Sequence, residues 1–232
     1  MATTLATLLT NIRLHIDEPV SNYWTNAELT SYIVNRQLDL WRRIYRLKED
    51  YFIATPGATV NLVAGQYIYQ TADGIPANLF RVSSIRSLTS GQTGVKFIMA
   101  DPASNQFIDG LRPDITVSNP SIYLYAIRGN GMLWVSPTPQ APLQILIDYI
   151  QLPTEVVNPT DTFLIPDPFI DYVEYAATGD ALVKGPVGAP DMWYAKAEQA
   201  WSDISMALDT DRSDQNPVVS RSFSGADDGG DW

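Results

Sequence analysis

One change of hydrophobic period constrains this chain more than any other feature. Up to about residue 50 apolar residues recur at spacings of three and four; from 51 to about 150 that rhythm is lost, and afterwards it returns. Leu5, Leu8, Leu9, Ile12 and Ile16 form one stripe of a short amphipathic helix, with Thr3 or Thr4 able to cap its start and Pro19 to close it. In Tyr23-Trp24-Thr25-Asn26-Ala27-Glu28-Leu29, Thr25 and Glu28 have the spacing of a capping box, and Trp24 is placed to staple onto Leu29. Leu29, Ile33, Arg36-Gln37, Leu40, Ile44 and Leu47 then run down one side of a long helix, widened by Tyr32, Trp41 and Tyr45. Its expected end is Glu49, about 25 residues or ~37 Å of helix.

Between 51 and 150, Gly and Pro punctuate the chain and β-branched and aromatic residues fill the intervals. Seven strands are expected: Thr59–Leu62, Gln66–Gln70, Phe80–Leu88, Lys96–Met99, Ser121–Arg128, Met132–Ser136 and Leu143–Leu152. Gly129-Asn130-Gly131 gives the clearest hairpin turn, because Gly and Asn accept positive φ. Prolines 137, 139 and 142 stop the following arm. The expected product is a small antiparallel β-domain inserted into a helical framework.

Helical period resumes behind Pro166-Asp167-Pro168, with Phe169, Tyr172, Val173, Ala176 and Ala177 on one face and Gly185-Pro186 as the stop. A further helix opens at Asp191, with Met192, Ala195, Trp201, Ile204 and Leu208 inward. The fold class that follows is α+β, a four-helix bundle of N- and C-terminal helix pairs with the β-domain inserted. The segments are 1–50, first helical pair; 51–160, β-domain; 161–210, second helical pair; and 211–232, an extended acidic tail. Asp209 onward holds six acids and two arginines, net −4, with too little apolar surface to fold alone. Val218, Val219, Phe223 and Trp232 are spaced as anchors of an arm lying on a partner chain.

The chemical inventory is sparse. The chain has no Cys, which removes disulfides, thiolate zinc sites and thiol nucleophiles, and its one histidine, His15, lies on the first helix between two apolar residues. His15 reads as a partly exposed helix residue, not as the base of a triad. Carboxylates that could pair for glycoside hydrolysis are Glu28, Asp39, Glu49, Asp50, Asp148, Asp171 and Glu174. Glu28 is better explained as a cap partner, and Asp171 and Glu174 as first-turn acids offsetting a helix dipole. Asp227-Asp228-Gly229-Gly230-Asp231 lacks the spaced ligands of a calcium loop, and Gly91-Gln92-Thr93-Gly94 lacks the Lys of a phosphate loop. No catalytic, cofactor or metal site is expected. No apolar run approaches the ~18 residues of a membrane helix, and MATTLATLLTNIRLHIDE lacks the basic leader and cleavage site of a secretory signal.

With 15 basic against 26 acidic residues the formal net charge is −11. That balance is poor for gripping phosphates. The one basic cluster, Arg36, Arg42, Arg43, Arg46 and Lys48 with Trp41 and Tyr45 between, is open to two readings. It is either a nucleic-acid patch or, favoured by the acidic total, a charged face that meets another acidic subunit, with Asp39–Arg43 an i,i+4 pair. Arg42, Arg43 and Arg46 are therefore candidate partner-binding residues.

Several pieces together resemble the head-to-tail adaptor (connector) proteins of tailed bacteriophages, short-tailed phages above all. Tyr23-Trp24-Thr25-Asn26-Ala27-Glu28-Leu29 is similar to the family's opening between a short and a long helix, with Asn26 where Asp is commoner. Gln66-Tyr67-Ile68-Tyr69 with Ile75-Pro76-Ala77-Asn78-Leu79-Phe80-Arg81-Val82, then Leu133-Trp134-Val135-Ser136-Pro137-Thr138-Pro139 and Ile147-Asp148-Tyr149, resemble its strand pairs. Ile165-Pro166-Asp167-Pro168-Phe169-Ile170-Asp171-Tyr172 resembles the start of its third helix. The resemblance implies a structural virion protein at the head–tail junction, made in the host cytoplasm. It also implies a homo-oligomeric ring of 12 copies between the portal protein and the tail nozzle or tail tube. DNA would pass through that ring without specific binding, and no membrane would be involved. Two alternatives stay open: another tail component, such as a nozzle or fibre-attachment protein, or a carboxylate-based peptidoglycan hydrolase.

Overall fold

Threonine caps open both N-terminal helices. In the computed structural model, which describes residues 2–18, 23–90, 94–111, 120–129, 131–185 and 189–214, α1 (Leu5–His15) starts where the Thr4 hydroxyl accepts the Thr7 N–H. Helix α2 (Asn26–Leu47) starts where Thr25 accepts the Glu28 N–H at 3.2 Å, and it ends at Leu47, two residues short of Glu49. The α1–α2 connection is organised by two buried ions. Arg13 donates to the Trp24 carbonyl at 2.8 Å and to Asn26 Oδ1 at 2.7 Å, and the Glu18 carboxylate accepts the N–H groups of Tyr23 and Trp24. Trp24 itself packs on a later helix, donating its indole N–H to the Ala181 carbonyl at 3.1 Å.

Seven strands form one sheet: β1 (Ala58–Leu62), β2 (Ile68–Tyr69), β3 (Leu79–Ser87), β4 (Lys96–Met99), β5 (Ile122–Arg128), β6 (Met132–Ser136) and β7 (Leu143–Gln151). Each expected strand is present, and the spatial order is β1-β7-β3-β4-β5-β6-β2. The expectation of an all-antiparallel domain is corrected at one ladder, since β4 and β5 run parallel, with Lys96 opposite Ile122 and Met99 opposite Tyr125. A short helix not anticipated from the sequence, α3 (Asn105–Gly110), capped by Ser104, lies between those two strands in the chain. Val60, Leu62, Tyr69, Leu133, Val135, Ile145 and Ile147 make the sheet's own core. Gly57 precedes β1 because a Cβ there would sit 2.5 Å from the Ile147 carbonyl oxygen.

A 3₁₀ turn, Asp167–Phe169, leads into α4 (Ile170–Lys184), and α5 (Pro190–Asp214) follows. Helix α5 therefore continues past residue 210, where the acidic tail was expected to start. Gly179 on α4 lets α5 come close, since a Cβ at that position would lie 2.7 Å from the Tyr194 ring. Residues from all four long helices, among them Leu8, Ile12, Leu29, Ile33, Leu40, Val173, Ala177, Ile204 and Leu208, share a second core. Among the described residues the protein is thus α+β, with five α-helices and a seven-stranded sheet. The helices gather around α4, which touches α1, α2 and α5, and helices from both chain ends contribute to one core.

Trp41 of the helical core reaches over to strands β3 and β7. Its ring stacks on Tyr45 and Phe52 (centroids 5.3 and 5.8 Å) and takes the edge of Phe80 at 5.0 Å, while its N–H donates to the Gln151 carbonyl at 3.1 Å.

Candidate partner-binding surface

Helix α2 separates its basic residues by angle. Arg36 turns to α4, where Nε and Nη2 reach the two Asp180 oxygens at 2.7 and 2.5 Å; Asp180 also accepts the Tyr194 hydroxyl at 2.9 Å. The paired carboxylate outweighs burial and pushes the Arg36 pKa further up, fixing its charge. Arg43 turns to α5. Its guanidinium meets Asp39 at 3.3 Å and Glu198 at 2.9 Å and lies over the Tyr172 and Trp201 rings at 5.1 and 5.5 Å. The hydrogen bond it donates to Glu198 leads the upward shift of its pKa. Burial first, then the hydrogen bond to Asp39, likewise push the Tyr172 pKa up.

Arg42 and Arg46, one turn apart, point outward and are exposed, and among the described residues neither has an ion-pair partner. Of the three candidate arginines, two are thus offered to the surroundings and Arg43 is held inside the subunit. Arg46 borders a cavity of about 480 Å³ lined also by Leu47, Lys48, Glu49, Asp50, Leu208 and Asp209. The four tail anchors, Val218, Val219, Phe223 and Trp232, lie outside the described residues, as do Pro19, Asn130, Gly91-Gln92-Thr93 and the Asp-Gly run.

Five of the seven candidate carboxylates, Glu28, Asp39, Glu49, Asp148 and Glu174, are engaged by side chains of the subunit. Glu28 pairs with Lys184 at 2.5 Å, and that hydrogen bond, aided by the Thr25 N–H, holds its pKa below the usual carboxylate range. The expected cap role therefore stands, with an ion pair added. Glu174 departs from expectation: it lies beyond the first turn of α4, is buried, and is gripped from α1 at both oxygens. Asn11 Nδ2 donates to Oε2 at 2.9 Å and His15 Nε2 lies 2.8 Å from Oε1. His15 is partly exposed, as expected, and its ring packs against Trp193 at 4.5 Å. The four-residue spacing of Asn11 and His15 is the only sign of this grip in the sequence. Among the described residues no group of three or more His, Cys, Asp or Glu could hold a metal ion, and no helix is long and apolar enough to cross a membrane.

The fold thus joins helices from both chain ends around a β insertion, with most of the charged side chains between its helices engaged in structure. A family model described as SU10 adaptor protein matches residues 3–221. The chain belongs to the SU10 adaptor protein family, and is a phage adaptor, a structural component of the virion. No curated protein matches it.

Proposed function

We propose that this adaptor works as a ring, with 12 copies seated between the portal protein and the tail nozzle or tail tube. The ring extends the channel through which DNA passes without specific binding. The observation that carries the reading is the family match over residues 3–221. The architecture supports it: helices from both chain ends, read here as a four-helix bundle, make a stiff body whose outer faces can meet neighbours. The residues after Asp214 serve as the arm, with Val218, Val219, Phe223 and Trp232 as anchors on a partner. Arg42 and Arg46 face an acidic partner, and Arg43 braces the helix that carries them.

A net charge of −11 resists crowding of identical subunits, so salt should favour ring formation. Negative-stain images of the protein mixed with its portal should show rings on one portal face, more of them at higher salt. Removing residues 215–232 should leave a folded subunit that attaches weakly. Normal particle assembly without those residues would overturn the arm, and a protein that never forms rings would overturn the whole reading. The hydrolase alternative is disfavoured by the pairing of Glu28 with Lys184 and of Glu174 with His15.

A further inference from the structure

We propose that in the free subunit the exposed Arg42–Arg46 stripe of α2 holds this chain's own acidic segment, residues 225–231, in cis. The inference rests on the reading of the residues after Asp214 as a docking arm, and gives that arm a seat before any partner is met.

Charge complementarity is the first support. Arg36, Arg43, Arg81 and Lys184 are neutralised within the subunit by Asp180, Asp39 with Glu198, Glu49, and Glu28. Arg42 and Arg46 stand apart as a cationic strip on a protein of net charge −11. The segment 224–232 carries Asp227, Asp228 and Asp231 and no basic residue.

The second support is where the described chain stops. Leu208 and Asp209 of α5 line the same cavity as Arg46 and Leu47, so the tail leaves from beside the strip. The 13 residues from Asp214 to Asp227 can span about 43 Å, while the two arginines lie only about 6 Å apart along α2. A tether of this length holds its end at an effective concentration on the order of millimolar, which favours the same chain over a second copy in dilute solution. Asp50 and Asp209 face the cavity and repel carboxylates, which keeps the acids on the outer strip. Leu47, 44% exposed, offers Phe223 an apolar contact there. Docked in this way, the arm covers a partner surface until a better partner displaces it.

The chain's lack of cysteine makes the test clean. A Gly229→Cys variant carries a single nitroxide label, and paramagnetic broadening of backbone amides is read on the monomeric full chain at low salt. Broadening should concentrate on residues 42–47. It should be lost in about 0.5 M salt, where the screening length shrinks to a few ångström. It should also be lost in an Arg42→Glu/Arg46→Glu variant whose circular dichroism matches the parent. Broadening that survives both changes, or is absent at low salt, overturns the proposal. So does broadening in a mixture of labelled unenriched chains with isotope-enriched unlabelled ones, because the seat is then filled by a second copy. A misfolded double variant is replaced by Arg42→Gln/Arg46→Gln, read in the same way. Sedimentation at both salt concentrations confirms that the monomer is the species measured, so success or failure of ring assembly enters neither result.

Discussion

The helical layer and the sheet layer are held by different means. Helix contacts between distant parts of the chain are pinned by polar grips: Arg36 to Asp180, Arg43 to Glu198, Lys184 to Glu28, and Asn11 with His15 on Glu174. The sheet is closed by backbone ladders over a continuous apolar core. Among the described residues a charged contact within it, Arg86 to Asp148, is a long 3.9 Å, and Arg81 reaches Glu49 just past the end of α2. Helices satisfy their backbone bonds internally, so side chains must fix which helix lies against which. Strands fix their neighbours through the backbone itself. Salt and acid therefore act on one layer far more than on the other.

Removing the joint should have the largest effect. Trp41→Ala deletes a buried indole of the helical core that also packs on Phe80 of β3, with an expected loss of about 3–5 kcal/mol. Thermal unfolding followed by far- and near-ultraviolet circular dichroism should then split into two transitions; a single cooperative loss would mean that the layers are coupled elsewhere. Glu174→Ala leaves Asn11 and His15 without their shared acceptor and should cost about 2 kcal/mol, read from urea midpoints. Gly179→Ala pushes a methyl group into the Tyr194 ring and should cost about 1–3 kcal/mol while freeing the Tyr194 hydroxyl from Asp180, visible in tyrosine absorbance. Gln37→Met should be neutral or stabilising by about 1 kcal/mol, because the buried Gln37 Nε2 has no hydrogen-bond partner.

The smallest expected effect is on pH dependence. Glu28 is held below its usual value chiefly by Lys184, and Asp167 by the Thr3 N–H. A depressed carboxylate adds stability above its unfolded pKa, near 4, and loses it as pH falls through the folded value. Asp171 works in the opposite sense, since burial and Glu174 raise its pKa and its contribution is lost as pH rises. Acid below about pH 4 should thus loosen the helical layer first. Glu28→Gln should flatten that slope, and an unchanged acid profile would show that the Lys184 pair is immaterial.

Much of this was legible in the sequence, for local reasons. The strands announced themselves because turns rich in Gly and Pro bounded runs of β-branched and aromatic residues. Thr25 with Glu28 marked the start of α2, and Asp39 with Arg43 marked an i,i+4 pair. The unreadable parts were all set by tertiary contact. Nothing near Lys96 says that its strand will run parallel to Ile122, because parallel pairing is decided by how the intervening residues cross over. Glu174 looked like a dipole acid because its partners, Asn11 and His15, lie some 160 residues away in the chain. Arg43 looked available for the same reason, its second partner being Glu198.

The joining of both chain ends in one core also sets an order of events during synthesis. Strand β7 ends at Gln151, before the first residue of α4, Ile170, so the sheet is chemically complete while the partners of α1 and α2 are still inside the ribosome. The stripe of Leu29, Ile33, Leu40 and Ile44 must stay uncovered through that interval. This nascent chain meets chaperones with its first-made helices exposed and its middle already closed.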